Sequence, residues 1–353
     1  MVFSAVTAYL FQKLSEGRGF TMKKSFALFM TVVLVSAAAI GMPSAARAAE
    51  EEPQSKLSYV AVGAGATGGN FYMTTATFCQ TFNEKFKGTT CNAETTSGSG
   101  ENNKMLIDGD LQMAISNVDI AYCASKGIRE FAKDYSQGGD IVAVLPSKWT
   151  NLMNIIVRVD SGITDISQLK GKTIACNSGT QLTDYTPMLM KMYGIDDYKI
   201  RAVTTSEMAD AMRDKHVDAI IQFGAAPTAA FADLAATTPV RWLPIDEEHM
   251  KKINENYPYF AATVLPAGSY PGQDKDVPIL GNMPMIVALK TLDEGFVYQF
   301  VKTLMENREE MAKAYAGTRN YTLEGIVDYY KRGVSLPLHS GVVKYLKAVG
   351  AIE

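Results

Sequence analysis

Apolar and polar positions alternate along most of this chain in two rhythms. In the first part KLSYVAVG (56–63), TTCNAE (89–94) and LQMAIS (111–116) are short apolar runs bounded by polar turns, which predicts strands. Between them, Phe71 to Phe86 and Glu101 to Asp108 carry helical spacing. In the middle KTIAC, KIRAV, VDAIIQ and VRWLPI read as strands, with helices starting near Gln181, Ser206 and Pro227. Pro227 suits a first helical turn, where a missing N–H is harmless. Strands alternating with helices predict an α/β fold with largely parallel sheets.

Two stretches break the alternation. Residues 140 to 160, DIVAVLPSKWTNLMNIIVRVD, are extended throughout, and a second extended region spans Phe260 to Leu289. Two long connectors between α/β blocks predict two lobes joined by crossing strands. The expected division is 49–143 for the first lobe, 144–262 for the second, and 263–353 for the return to the first. After Thr291 the chain is expected to turn helical, since the segment VYQFVKTLMENREEMAKAYA repeats apolar residues every three or four positions.

The amino terminus changes the picture. From Met22 the chain reads MKKSFALFMTVVLVSAAAIGMPSAARAAEEEP. Lys23 and Lys24, the apolar run Phe26 to Ile40, and Ala46-Arg47-Ala48 follow the order of a secretory signal peptide. Cleavage is expected after Ala48, true initiation at Met22, and residues 1–21 count as an upstream extension. Removal of the first 48 of 353 residues leaves 305, enough for two lobes with their own cores. With the leader go five basic residues and one acid, so the formal charge moves from −3 to −7. An acidic chain without a basic tract is a poor partner for nucleic acid or an anionic membrane face. No second long apolar run follows, so no membrane span is expected after cleavage, and a periplasmic location is.

Four cysteines remain: Cys79, Cys91, Cys123 and Cys176. In an oxidising compartment Cys79 and Cys91 are the preferred disulfide pair; four buried small apolar residues is the competing reading. No CxxC, HExxH or G-x-S-x-G occurs, so no metal, cofactor or catalytic residue is predicted.

Candidate chemistry gathers in glycine-rich turns between strands and helices. Gly63, Gly65 and Gly68 spell G-x-G-x-x-G, and Glu94 ends the next strand, as in a dinucleotide site. An exported protein has no need of that cofactor. Glycines ahead of a helix let backbone N–H groups converge beside the positive end of the helix, which suits any small anion. TTSGSGEN (95–102) and NSGTQLT (177–183) repeat the arrangement. Ligands of α/β sheets bind outside the carboxyl ends of strands, where these loops sit.

Taken in order, GATGGNFY, SGSGENNKML, MAISNVDIAY, VRVDSGITDISQLKGKTIA, SGTQLT and the tail with YPGQDKDVPILGNMPMIVA and SLPLHSGVVKYLKAVG resemble the TAXI-type solute receptors of TRAP transporters. The resemblance covers essentially the whole mature chain. It implies a two-lobed, periplasmic-binding-protein-like fold of the type II kind, with a ligand cleft between the lobes. It implies capture of a small carboxylate, of the glutamate, glutamine, dicarboxylate or oxo acid class, for delivery to a TRAP membrane permease. A monomer is expected. The positions matching the family pattern are Thr67, Gly68 and Tyr72; Ser97, Ser99 and Asn102; Asp119; Ser178, Gly179, Thr180 and Thr183; and Gly224 and Pro227, and Asn117 is counted with them as a candidate contact. The roles expected are backbone and hydroxyl donors to the carboxylate, with Tyr72 as a wall. Asn117-Val118 departs from the Gln-Ser of the family pattern, and the 176–180 loop is shorter than usual. No Arg falls within these motifs, and Arg158 is read as structural. The lobes alone would equally suit a receptor for an ABC importer or a sensor kinase. An exported enzyme would need an acid–base pair, for which Asp119 is the only candidate within the motifs.

Overall fold

The computed structural model describes residues 52–353 apart from 149, 150, 180 and 334. The signal-peptide reading, Met22 and Ala48 included, lies outside the described residues, as does Thr180. No described helix is long and apolar enough to cross a membrane.

The chain builds two sheets, each flanked by helices. The first has the order β2-β1-β3-β12-β4, from Thr90–Thr95, Tyr59–Gly65, Met113–Asn117, Pro284–Leu289 and Ile141–Pro146. Strands β1, β2 and β3 run parallel, and β12 lies antiparallel between β3 and β4. The second sheet has the order β10-β11-β5-β8-β6-β7, from Ala261–Leu265, Val277–Asn282, Asn151–Arg158, Ala219–Ala225, Thr173–Cys176 and Lys199–Ala202. Strand β9, Val240–Trp242, pairs with β5 off this path. The chain is thus mixed α/β, with two sheets that form two lobes.

The two connectors are shorter than the sequence pattern suggests. The extended run 140–160 is two strands in different sheets, β4 and β5. Residues 260–289 are three strands, of which β10 and β11 pair antiparallel in the second sheet. The chain therefore re-enters the first sheet at Pro284, later than the expected boundary at 263. Likewise Val144 to Pro146 still belong to the first sheet. Continuous apolarity hides such boundaries, because a strand buried on both faces looks the same whichever sheet holds it.

Helix α1, Asn70–Lys85, follows β1; α2, Ser99–Asp108, follows β2; α3, Val118–Lys126, follows β3. One face of the first sheet is closed by aromatic packing, with Phe82 of α1 5.5 Å from both Phe296 and Phe300 of α8, Glu294–Glu306. All three rings are fully buried, each contributing about 2–3 kcal/mol. A second apolar cluster runs through both lobes, from Ile120 and Phe131 to Tyr185, Leu189 and Phe260. In the second lobe a one-turn segment, Gln181–Tyr185, precedes α4, Thr186–Met192. Helix α5, Thr205–Arg213, starts beside the predicted Ser206 under a Thr204–Glu207 capping box. Helix α6 is Ala229–Thr237, so Pro227 stands ahead of its N-cap Thr228, after a cis peptide bond, and not in the first turn.

Candidate functional site

The carboxyl ends of β1, β2 and β3 place three loops side by side. Thr67 Oγ1 lies 3.3 Å from Thr95 Oγ1, Thr96 N donates to Gly65 O, and Asn117 N donates to Ser99 Oγ at 3.1 Å. The opening glycines divide their tasks. A Cβ on Gly63 would sit 2.5 Å from Leu111 Cδ1 and 2.6 Å from Asn102 Oδ1. Gly68, at φ +81, faces open space and serves the turn. The fingerprint is thus accounted for by close packing and turn geometry.

Helix starts in this region differ from those elsewhere. The N-caps of α1, α2, α3 and α6 are Gly69, Gly98, Asn117 and Thr228, and none makes a side-chain cap bond. Away from these loops, α7 (Glu247–Asn256), α8, α10 (Leu323–Arg332) and α11 (Ser340–Ala348) are capped by Asp246, Asp293, Thr322 and His339. Helix α5, behind the edge strand β7, is capped too, whereas α4, continuing from the turn Gln181–Tyr185, and α9 (Arg308–Ala314), continuing directly from α8, are uncapped. The four helix starts after β1, β2, β3 and β8 thus leave N–H groups without the side-chain oxygen that usually satisfies one of them.

The predicted residues fall into three groups. Thr67, Gly68, Ser97, Ser178, Gly179 and Thr183 are exposed on the loops. Ser97 N donates to Glu101 Oε2 at 2.6 Å, and this bond holds the Glu101 carboxyl below its ordinary range. Thr183 Oγ1 is turned to Asp184 Oδ2 at 2.6 Å and Gly179 O at 3.3 Å. Ser99, Asn117 and Gly224 are half-buried at the mouths of their strands. Gly224 leaves room for the Gln222 amide, which a Cβ would meet at 2.8 Å. The buried oxygens Asn117 Oδ1, Gln181 Oε1 and Gln222 Oε1 have no hydrogen-bond partner.

The third group is placed otherwise than expected. Tyr72 lines a cavity of about 630 Å³ between α1 and β2, with Asn83 and Glu94, because its position in the first turn of α1 faces that flank. Asn102 is fully buried: Nδ2 donates to Ile115 O at 2.7 Å and Gly63 O at 3.3 Å, and Oδ1 accepts from Thr96 Oγ1 at 2.6 Å. It fastens the loops to one another. Asp119 is also wholly buried, with Oδ1 accepting from Asn282 Nδ2 at 3.0 Å and Oδ2 from the Tyr185 hydroxyl. Both oxygens are committed to protein partners, an arrangement unlike that of a free acid–base group. Arg158 is structural as read, donating to Met212 O and Val217 O.

Sequence reasoning missed Arg129, Asp184, Tyr185, Gln181 and Gln222. Arg129 follows the Gly127 stop of α3 and folds back, with Nη1 3.5 Å from Asp119 Oδ2 and Nη2 3.0 Å from Asp184 Oδ2. Burial opposes its charge, but the Cys123 sulfur and the carboxylates of Glu130, Asp119 and Asp184 outweigh that and raise its pKa further. Burial, and then the charge of Asp119, push the Tyr185 hydroxyl well above the usual phenol range. No motif announces these residues; only a GIRE turn after a helix hints at Arg129.

Cys79 and Cys91 are brought together as sequence reasoning proposed, with Sγ atoms 2.8 Å apart and both thiols free. Among the described residues no cluster of His, Cys, Asp and Glu could hold a metal ion.

The model of the NMT1-like family matches residues 62–350. Among solved structures, the periplasmic aliphatic sulphonate binding protein SsuA of Escherichia coli is similar, at 15% identity and a TM-score of 0.45, covering 83% of this chain and 91% of that one. The probable amino-acid ABC transporter extracellular-binding protein YtmK of Bacillus subtilis is similar at 12% identity and a TM-score of 0.41, over 75% of this chain and 98% of that one.

Proposed function

The chain belongs to the NMT1-like family, and on that premise we propose that it is an exported receptor which binds a small organic anion between its lobes and delivers it to a membrane permease. The observation that carries this reading is the set of four helix starts without side-chain caps, after β1, β2 and β3 of the first sheet and β8 of the second. Backbone N–H groups and the partial positive charge of each helix end suit a carboxylate or sulfonate. The orphan oxygens of Asn117, Gln181 and Gln222 supply acceptors for a donor on the same solute. A small carboxylate of the amino, oxo or dicarboxylic class meets both demands. Thr67, Ser97, Ser178 and Gly179 are then its first contacts, and binding without turnover is the activity.

The permease is of the TRAP type if the sequence motifs guide the choice. The second reading is an ABC importer, the class named for YtmK. A two-lobed receptor serves either, since the fold does not fix the partner. Reconstitution decides it: uptake that needs this chain and an ion gradient supports the first, uptake that needs ATP the second.

Thermal-shift measurement on residues 49–353 tests the binding reading, with amino acids, dicarboxylates, oxo acids, alkanesulfonates, neutral sugars and NAD as probes. A ligand at about 100 times its Kd adds roughly 2.7 kcal/mol of stability. Stabilisation by one organic anion is the expected result. Stabilisation by NAD or a neutral sugar, with no anion acting, overturns it.

A further inference from the structure

The lobes touch through more than their connectors. Asp119, in the first turn of α3, belongs to the first lobe, whereas Asp184 and Tyr185 follow β6 in the second. The Tyr185 hydroxyl donates across to Asp119 Oδ2. Asn282, at the end of β11 where the chain leaves the second sheet, donates to the other carboxylate oxygen. Arg129 completes the set, with one terminal nitrogen toward Asp119 and the other 3.0 Å from Asp184. One guanidinium therefore spans a buried carboxylate of one lobe and a half-exposed carboxylate of the other.

Three surroundings make this a built arrangement. Arg129 holds a φ of +56, the left-handed region that residues with a Cβ seldom occupy, so the backbone is held where the side chain can fold back along α3. Tyr122 of α3 packs on Tyr259 of the second lobe at 5.3 Å between ring centres. Tyr185 stands edge-on to Phe223 and Phe260, at 4.9 and 5.7 Å, so an aromatic floor backs the polar contacts.

The two halves of the network differ in what parting the lobes would do. The Asp119–Arg129 contact lies within the first lobe and survives, so the buried carboxylate keeps a cation. The Arg129–Asp184 pair and the Tyr185 bond join different lobes and must break. Asp184 is half-exposed, and water can take over its partner's place, so this half is reversible.

We propose that Asp119, Arg129, Asp184 and Tyr185 form an interlobe latch, which draws the lobes together through the protein's own side chains and must release for the cleft to open. The latch stands apart from the identity of the solute, since every contact in it is made between protein groups.

Small-angle scattering of residues 49–353, with no solute added, tests it. A chain of this size has a compact radius of gyration of about 19 Å. The wild type is expected near that value, and Asp184→Ala combined with Tyr185→Phe above it. Arg129→Met strands a buried carboxylate and can fail to fold, so the paired variant is the primary one, with circular dichroism confirming that it is folded. A folded double variant that scatters like the wild type overturns the latch. So does an Asp184→Ala protein that scatters unchanged but gains stabilisation by succinate, because Asp184 would then be filling an anion subsite on Arg129.

Discussion

Replacing Asn102 with Ala separates a structural from a binding role. Three hydrogen bonds are lost, to Ile115 O, Gly63 O and from Thr96 Oγ1, all inside the first lobe. A net value of about 1 kcal/mol for each gives a loss of about 3 kcal/mol. Against a total of about 5–15 kcal/mol that is a large fraction. It corresponds to a fall in Tm of about 6–12 °C at 2–4 °C per kcal/mol. Urea denaturation followed by circular dichroism reads it directly. Gly63→Ala is the companion variant, because its new Cβ would sit 2.6 Å from Asn102 Oδ1 and disturb the same bonds. The two effects should add up to less than their sum, since they act on one network. A loss under about 1 kcal/mol in Asn102→Ala, well below the three-bond value, together with abolished binding of the solute, would refute this reasoning and return Asn102 to the ligand.

Two further outcomes follow from the buried thiols. Protein exposed to an oxidising compartment should carry a Cys79–Cys91 disulfide, with two fewer thiols alkylated after denaturation than in the reduced form. Closing that 12-residue separation should stabilise by about 3 kcal/mol, and full labelling of all four cysteines would show the pair to be simple core packing. Burial pushes the Cys123 thiol from 9.0 up to about 12. A raised folded-state pKa means that its contribution is fully present below pH 9 and is lost as the pH rises through 12. The urea midpoint should therefore fall between pH 8 and pH 10 in the wild type and fall less in Cys123→Ala; equal slopes would exclude the thiol as the cause.

Local pattern carried much of this protein. The rhythm of apolar residues set the α/β class, because a strand or an amphipathic helix is specified by neighbours a few positions apart. Glycine loops ahead of helices were legible for the same reason, and so was the proximity of Cys79 and Cys91, which lie on consecutive elements. Lobe boundaries were blurred: β10 to β12 form one extended run in the sequence, and only strand pairing assigns two of them to the second sheet. The roles of Asn102 and Asp119 were out of reach too. A motif tells which polar residues stand at a strand end, but whether each faces solvent or a buried carbonyl depends on what folds over it. Asp119, Arg129, Asp184, Tyr185 and Asn282 come from separate elements and share no period or spacing. They meet because elements that follow strands of two different sheets pack on one another. That meeting is long-range packing, in which distant side chains satisfy one another's charge, and no window of sequence contains it.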